Sequence, residues 1–156
     1  MQKTDCIFCQ IVAGNSPAHT IWESDTHLAF LSIFPNTEGF SVVIPKEHQG
    51  SYIFEQDDAV VTELMLATKR VAQLLDTYYE DVERCGMFFE GYGVDHLHSK
   101  IYPMHGTASK NAWEPKESGK FNQFFEKYPG YLCSNNSDRA DDEQLADLAK
   151  QIRESR

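Results

Sequence analysis

Asp95-His96-Leu97-His98-Ser99-Lys100-Ile101-Tyr102-Pro103-Met104 is the stretch from which the rest of this 156-residue chain can be read. Side chains alternate faces along an extended strand, so His96, His98, Lys100 and Tyr102 are expected on one side and Leu97, Ser99 and Ile101 on the other. At roughly 3.3 Å per residue, same-face neighbours stand about 6.6 Å apart, so two imidazoles and an ammonium can line up along a polyphosphate or around one phosphorus centre. Pro103 has no N–H for a ladder and should close the run. A strand with a merely polar outer face would show the same two alternate histidines, so the reading depends on the flanking chain.

Upstream, Cys85 to Glu90 reads as another strand, and Gly91-Tyr92-Gly93 as the connection into the histidine stretch, which favours antiparallel pairing. Gly93 lacks a Cβ, so its N–H can approach a phosphate closely. From Asp57 to about Arg84 apolar residues recur at three- and four-residue steps: Val60, Val61, Leu64, Met65, Val71, Leu75 and Tyr78. That is a long helix covering a sheet face, with Gly86 suited to its end. Thr20 to Glu23 and Leu28 to Ile33 read as a hairpin around Ser24-Asp25-Thr26. Phe40 to Ile44 is a buried strand stopped by Pro45, which leaves His48 at its exit.

Cys6-Ile7-Phe8-Cys9 is a CxxC pair without the strand and long helix of a redox unit, so it is either inert or half of a zinc site completed by His48 and His96. Cys85 and Cys133 stand alone. Beyond Pro103, His105 to Gly119 is a polar loop in which Trp113 is placed to stack on a base or to dock on the core. Phe121, Phe124, Phe125, Tyr128 and Tyr131 form an aromatic segment, and Asp141 to Ser155 an amphipathic helix capped by Asp141 or Asp142.

The formal charge of −10 argues against a nucleic-acid binder, which needs clustered Lys and Arg. The acid is unevenly spread, however: His96 to Lys127 holds five lysines against three glutamates, a local +2 that can receive an anionic substrate. No stretch approaches the eighteen or so apolar residues of a membrane span, and no basic-then-apolar leader is visible. The expectation is a cytoplasmic protein with no membrane partner and no organic cofactor.

Cys6 to Cys9, Phe40 to His48 and His96 to Pro103 together resemble the histidine triad (HIT) superfamily of nucleotide hydrolases and transferases. The likeness covers roughly residues 5 to 105 and points to a CxxC-containing, dinucleoside polyphosphate hydrolase-like branch with an HxHxK variant of the motif. It implies an α+β, HIT-like fold: an antiparallel sheet of about five strands packed with one long helix and a C-terminal helix. Residues 1–156 would form one such domain, with 104–156 a loop, aromatic segment and helix extending beyond the core motif. Such proteins are usually homodimers whose sheets pair edge to edge.

The resemblance also implies roles. His98 would attack the α-phosphorus of a dinucleoside polyphosphate or nucleoside phosphoramidate, giving a nucleotidyl-histidine that water resolves. Its other ring nitrogen would be held by the carbonyl of His96. Lys100 stands where hydrolases carry a third His and the uridylyltransferase branch a Gln, and is expected as a fixed cation beside the leaving phosphate. Ser32 stands where many members carry a ribose-gripping Asp, and Gly93 replaces a phosphate-contacting Ser or Thr. Phe30, Ile33 and Asn36 would flank the nucleoside. Cys6, Cys9, His48 and His96 would hold a structural zinc. Nucleotidyl transfer, and a nucleotide-binding module with weak catalysis, are the alternatives that the missing third His leaves open.

Overall fold

The computed structural model describes residues 5–108 and 139–155, so Trp113, the aromatic segment Phe121 to Tyr131 and Cys133 lie outside the described residues. Five strands form one antiparallel sheet: β1 (His19–Glu23), β2 (His27–Leu31), β3 (Ser41–Pro45), β4 (Cys85–Phe88) and β5 (Ser99–Pro103), in the order β1-β2-β3-β5-β4. The β1–β2 turn is fixed by Ser24, whose Oγ accepts from the N–H groups of Thr26 and His27. Every residue of β2 and β3 is buried, because this sheet centre is covered on both faces.

On one face Ile21, Ala29, Leu31, Val43 and Ile101 pack against α2 (Asp58–Tyr78) and α3 (Asp142–Glu154). On the other, Leu28, Phe30, Val42 and Ile44 meet Phe8, Ile11 and Val12 of α1 (Ile7–Val12). Leu64, Val71 and Leu75 of α2 are fully buried, each stabilising the fold by roughly 2 kcal/mol. The Asp141 cap of α3, which accepts from the N–H of Gln144, contributes about 1 kcal/mol. Packing therefore outweighs capping in holding the helices. Among the described residues no helix is long and apolar enough to cross a membrane.

The structure departs from the sequence expectation at several points. The long helix ends at Tyr78, not near Arg84, because Tyr79 turns extended and buries its ring edge-on against His105, 4.7 Å between centroids. Gly86 lies inside β4 instead of ending a helix; a Cβ there would sit 2.5 Å from the ring of Tyr102. The chain after Cys6 coils into α1. The histidine stretch enters the sheet only at Ser99, because the N–H of Leu97 donates to Gln49 and that of His96 to Val94, outside the ladder. Alternation of faces nevertheless persists: Leu97, Ser99 and Ile101 are buried towards α2, where Thr68 Oγ1 donates to the carbonyl of Leu64 and accepts from Ser99 Oγ at 2.6 Å.

Candidate functional site

Cys6 and Cys9 stand one helical turn apart at the start of α1, and His48 follows the exit of β3. Their side chains converge with His96, the four potential ligand atoms all lying within 4.8 Å of one another. His96 Nε2 sits 2.9 Å from the carbonyl of Pro45, which can only accept, so Nε2 carries the proton and the lone pair of Nδ1 faces the sulfurs. Nδ1 of His96 is 3.5 Å from Cys6 Sγ and 3.7 Å from Cys9 Sγ, and Nδ1 of His48 is 3.4 Å from Cys9 Sγ. A tetrahedral zinc with ordinary Zn–S and Zn–N bonds separates N from S by about 3.6 Å. The donor set and these three N–S separations fit such an ion. Burial, opposed by the Pro45 carbonyl, lowers the pKa of His96 to about 4, which keeps the imidazole neutral as a ligand must be.

Two residues on, His98 is wired the other way. Its Nδ1 donates to the carbonyl of His96 at 2.7 Å, so the lone pair left for chemistry is on Nε2. The ring is 3% exposed, yet it lines a cavity of about 480 Å³ between α1 and the sheet, within the usual size of a small-molecule site. Burial holds His98 below the ordinary histidine value; the His96 carbonyl opposes this and the Lys100 charge adds to it.

The cavity floor is one row across the sheet, since Phe30 pairs with Val42 and Val42 with Lys100. Phe8 forms the facing wall, its ring edge-on to Phe30 and to His98 at 5.5 Å and to His96 at 5.7 Å. Lys100 Nζ is 2.9 Å from Glu90 Oε2 with both side chains about nine-tenths buried, and 5.5 Å from the centroid of Phe88, its pairing partner on β4. The far end is polar: His19 Nε2 meets Asp142 Oδ1 at 2.9 Å, and Arg139 meets the other oxygen at 2.8 Å.

Of the residues singled out from sequence, His98, Lys100, Phe30, Ser32, Ile33 and Gly93 border the cavity. Gly93 reaches it with φ at +91°, and Gly91, at φ +74°, brings its backbone so near Ser51 that a Cβ would lie 2.9 Å from that carbonyl oxygen. His96 enters through its carbonyl, its ring belonging to the cysteine cluster. Asn36 is exposed and does not border the cavity, because the chain turns away after Phe34; Trp113 is outside the described residues. Sequence reasoning missed Phe8, Glu90, Phe34, Arg139 and Asp142. Glu90 was findable: it shares the strand parity of Phe88, hence the face of Lys100.

Comparison with known proteins bears on the family and the fold. A family model described as HIT domain matches residues 13–107. An uncharacterized HIT-like protein of Borreliella burgdorferi is 31% identical over 130 residues, covering 80% of this chain and 91% of its own. The adenosine 5′-monophosphoramidase of Schizosaccharomyces pombe is 35% identical over 98 residues, 63% of this chain and 73% of its own. Among solved structures, a zinc-bound histidine triad family protein from Mycobacterium smegmatis superposes with a TM-score of 0.65 at 22% identity, covering 97% of this chain and 92% of that one, which speaks to the fold.

Proposed function

This chain belongs to the HIT domain family, and from that premise we propose that it is a nucleotide phosphohydrolase cleaving at the α-phosphorus of dinucleoside polyphosphates or nucleoside phosphoramidates. The observation that carries the reading is the fixed His98 ring, with Nδ1 committed to the His96 carbonyl and Nε2 left for a cavity of nucleotide size. The lone pair of Nε2 forms an N–P bond as the bond from phosphorus to the leaving group breaks. Water then displaces the imidazole, releasing a nucleoside monophosphate and a proton. Phe30, Ile33 and Phe8 offer apolar surface to the nucleoside, and Lys100 a fixed positive charge to the phosphates. The name of the fission-yeast relative supports nucleotide phosphoramidates as one substrate class.

Cys6, Cys9, His48 and His96 would hold a structural zinc, a closed Cys₂His₂ set tying the N-terminal turn to the histidine stretch. A homodimer would pair through β4, an edge strand of the sheet. Incubation with diadenosine tetraphosphate and with adenosine 5′-phosphoramidate should release AMP, and acid-quenched wild-type protein should carry labelled nucleotide that His98→Ala does not. Equal labelling of the two proteins would overturn the proposal, and an added sugar-phosphate acceptor distinguishes transfer from hydrolysis by its product.

A further inference from the structure

The chemistry of displacement at phosphorus depends on how the expelled group departs. An amine or alkoxide must take a proton as it leaves, whereas a phosphate or pyrophosphate departs as a stable oxyanion and needs only compensation of its charge. A general acid for the first class works best with a pKa near the operating pH. The histidine stretch offers at its third alternate position an ammonium instead, two residues beyond the nucleophile and bordering the same cavity.

Lys100 is firmly placed. Glu90 holds it at 2.9 Å, Phe88 lies beneath it, and only its side of the ion pair borders the cavity, so a positive charge faces the substrate while the carboxylate stands behind. Glu90 fixes the ammonium of Lys100 beside the cavity as a standing positive charge, which is the compensation an expelled oxyanion needs. Among the described residues the one further imidazole bordering the cavity is His19, turned into Asp142 at 2.9 Å. It sits on β1, three strands from Lys100 on β5 and therefore about 14 Å away.

We propose that this site selects substrates by leaving group, with Lys100 as the specificity-determining residue: it takes nucleotides whose expelled group departs as a phosphate-type oxyanion over those that expel an amine. The inference rests on the hydrolase reading and narrows it from two substrate classes to the dinucleoside polyphosphates. In the favoured reaction the Nε2 lone pair of His98 forms the N–P bond and the P–O electron pair leaves on oxygen, with no proton transferred in that step. Lys100 meets the charge as it develops.

The test compares kcat/KM, which reports the step forming the nucleotidyl-histidine, for diadenosine tetraphosphate and for an adenosine 5′-phosphoramidate of an alkylamine. The wild type should prefer the tetraphosphate by about 100-fold or more, the size of a typical general-acid contribution that no imidazole beside Lys100 among the described residues is placed to give the amine. Lys100→His, which supplies an acid titrating near neutrality, should close most of that gap. Lys100→Gln, which removes the charge without supplying an acid, should slow the tetraphosphate and leave the amine poor. Equal His98-dependent rates on the two wild-type substrates, or an unchanged gap in folded Lys100→His, would overturn the inference and leave the hydrolase reading intact. Absence of His98-dependent turnover on both substrates would overturn the two together.

Discussion

His96 and His98 are two residues apart and almost equally buried, at 0% and 3% exposure, yet their ring nitrogens are committed in opposite senses. The difference is which nitrogen each ring gives to a carbonyl. His96 donates from Nε2 to Pro45 and turns Nδ1 towards two thiols; His98 donates from Nδ1 to His96 and keeps Nε2 for the cavity. Burial depth and residue type are matched between them, so backbone acceptors decide which nitrogen of each ring keeps its lone pair, and the proposed roles as metal ligand and nucleophile rest on that difference.

The sharpest way to break this contrast is His98→Ala. It should cut turnover on the order of 10⁴-fold or more while leaving metal content unchanged. A loss of metal in that variant would show the two regions to be one. Next in size is the cluster itself: chelation of the wild type should lower its stability by several kcal/mol, and Cys9→Ala should carry a similar deficit that chelator no longer deepens. Thermal melts with and without chelator, alongside metal analysis, check this; a wild type indifferent to chelator would refute a structural ion.

Phe8→Ala probes the wall that touches both rings. Phe8 is half-buried, so a loss of roughly 2 kcal/mol is expected, below the 3–5 typical of a fully buried ring, with KM rising more than kcat falls. Urea melts and steady-state kinetics measure the two effects.

The smallest effect comes from a third histidine that belongs to neither region. His105 donates from Nδ1 to Asp81 and from Nε2 to the carbonyl of Glu38, so both nitrogens carry protons. Partial burial would lower its pKa, but these two acceptors outweigh it and hold the pKa above the ordinary 6.5. The folded state then binds the proton more tightly than the unfolded chain. This contribution is therefore fully present below pH 6.5 and fades as pH rises through the higher folded value. The melting-temperature difference between wild type and His105→Gln should shrink accordingly from acid to alkaline pH; a constant difference would contradict the assignment.

Much of this was legible beforehand because alternation is a local rule. Leu97, Ser99 and Ile101 had to face away from His98 and Lys100 whether or not the ladder reached them, and it reaches only as far as Ser99. The hairpin, the buried β3 and the capped α3 follow likewise from turn residues, β-branched runs and an aspartate before an amphipathic repeat. What escaped depends on tertiary packing. α1 has six residues and no side-chain cap, and its helical form is favoured by Phe8, Ile11 and Val12 finding the sheet. Helix α2 stops early because Tyr79 packs against His105, twenty-six positions along the chain. The Glu90 partner of Lys100 needs the pairing of β4 with β5, and Asp142 reaches the cavity only because α3 docks beside β1.

The buried hydroxyl pair between Thr68 and Ser99 has one more implication, for how accurately His98 and Lys100 are aimed at the cavity. A strand that slipped by a single residue would carry His98 and Lys100 into the hydrocarbon against α2 and expose Ser99 in their place. That short contact, with Leu97 and Ile101 seated on either side of it, makes the slipped alternative costly from behind the sheet. Ser99, facing away from the cavity, thereby acts as an index pin for His98 and Lys100, which border it.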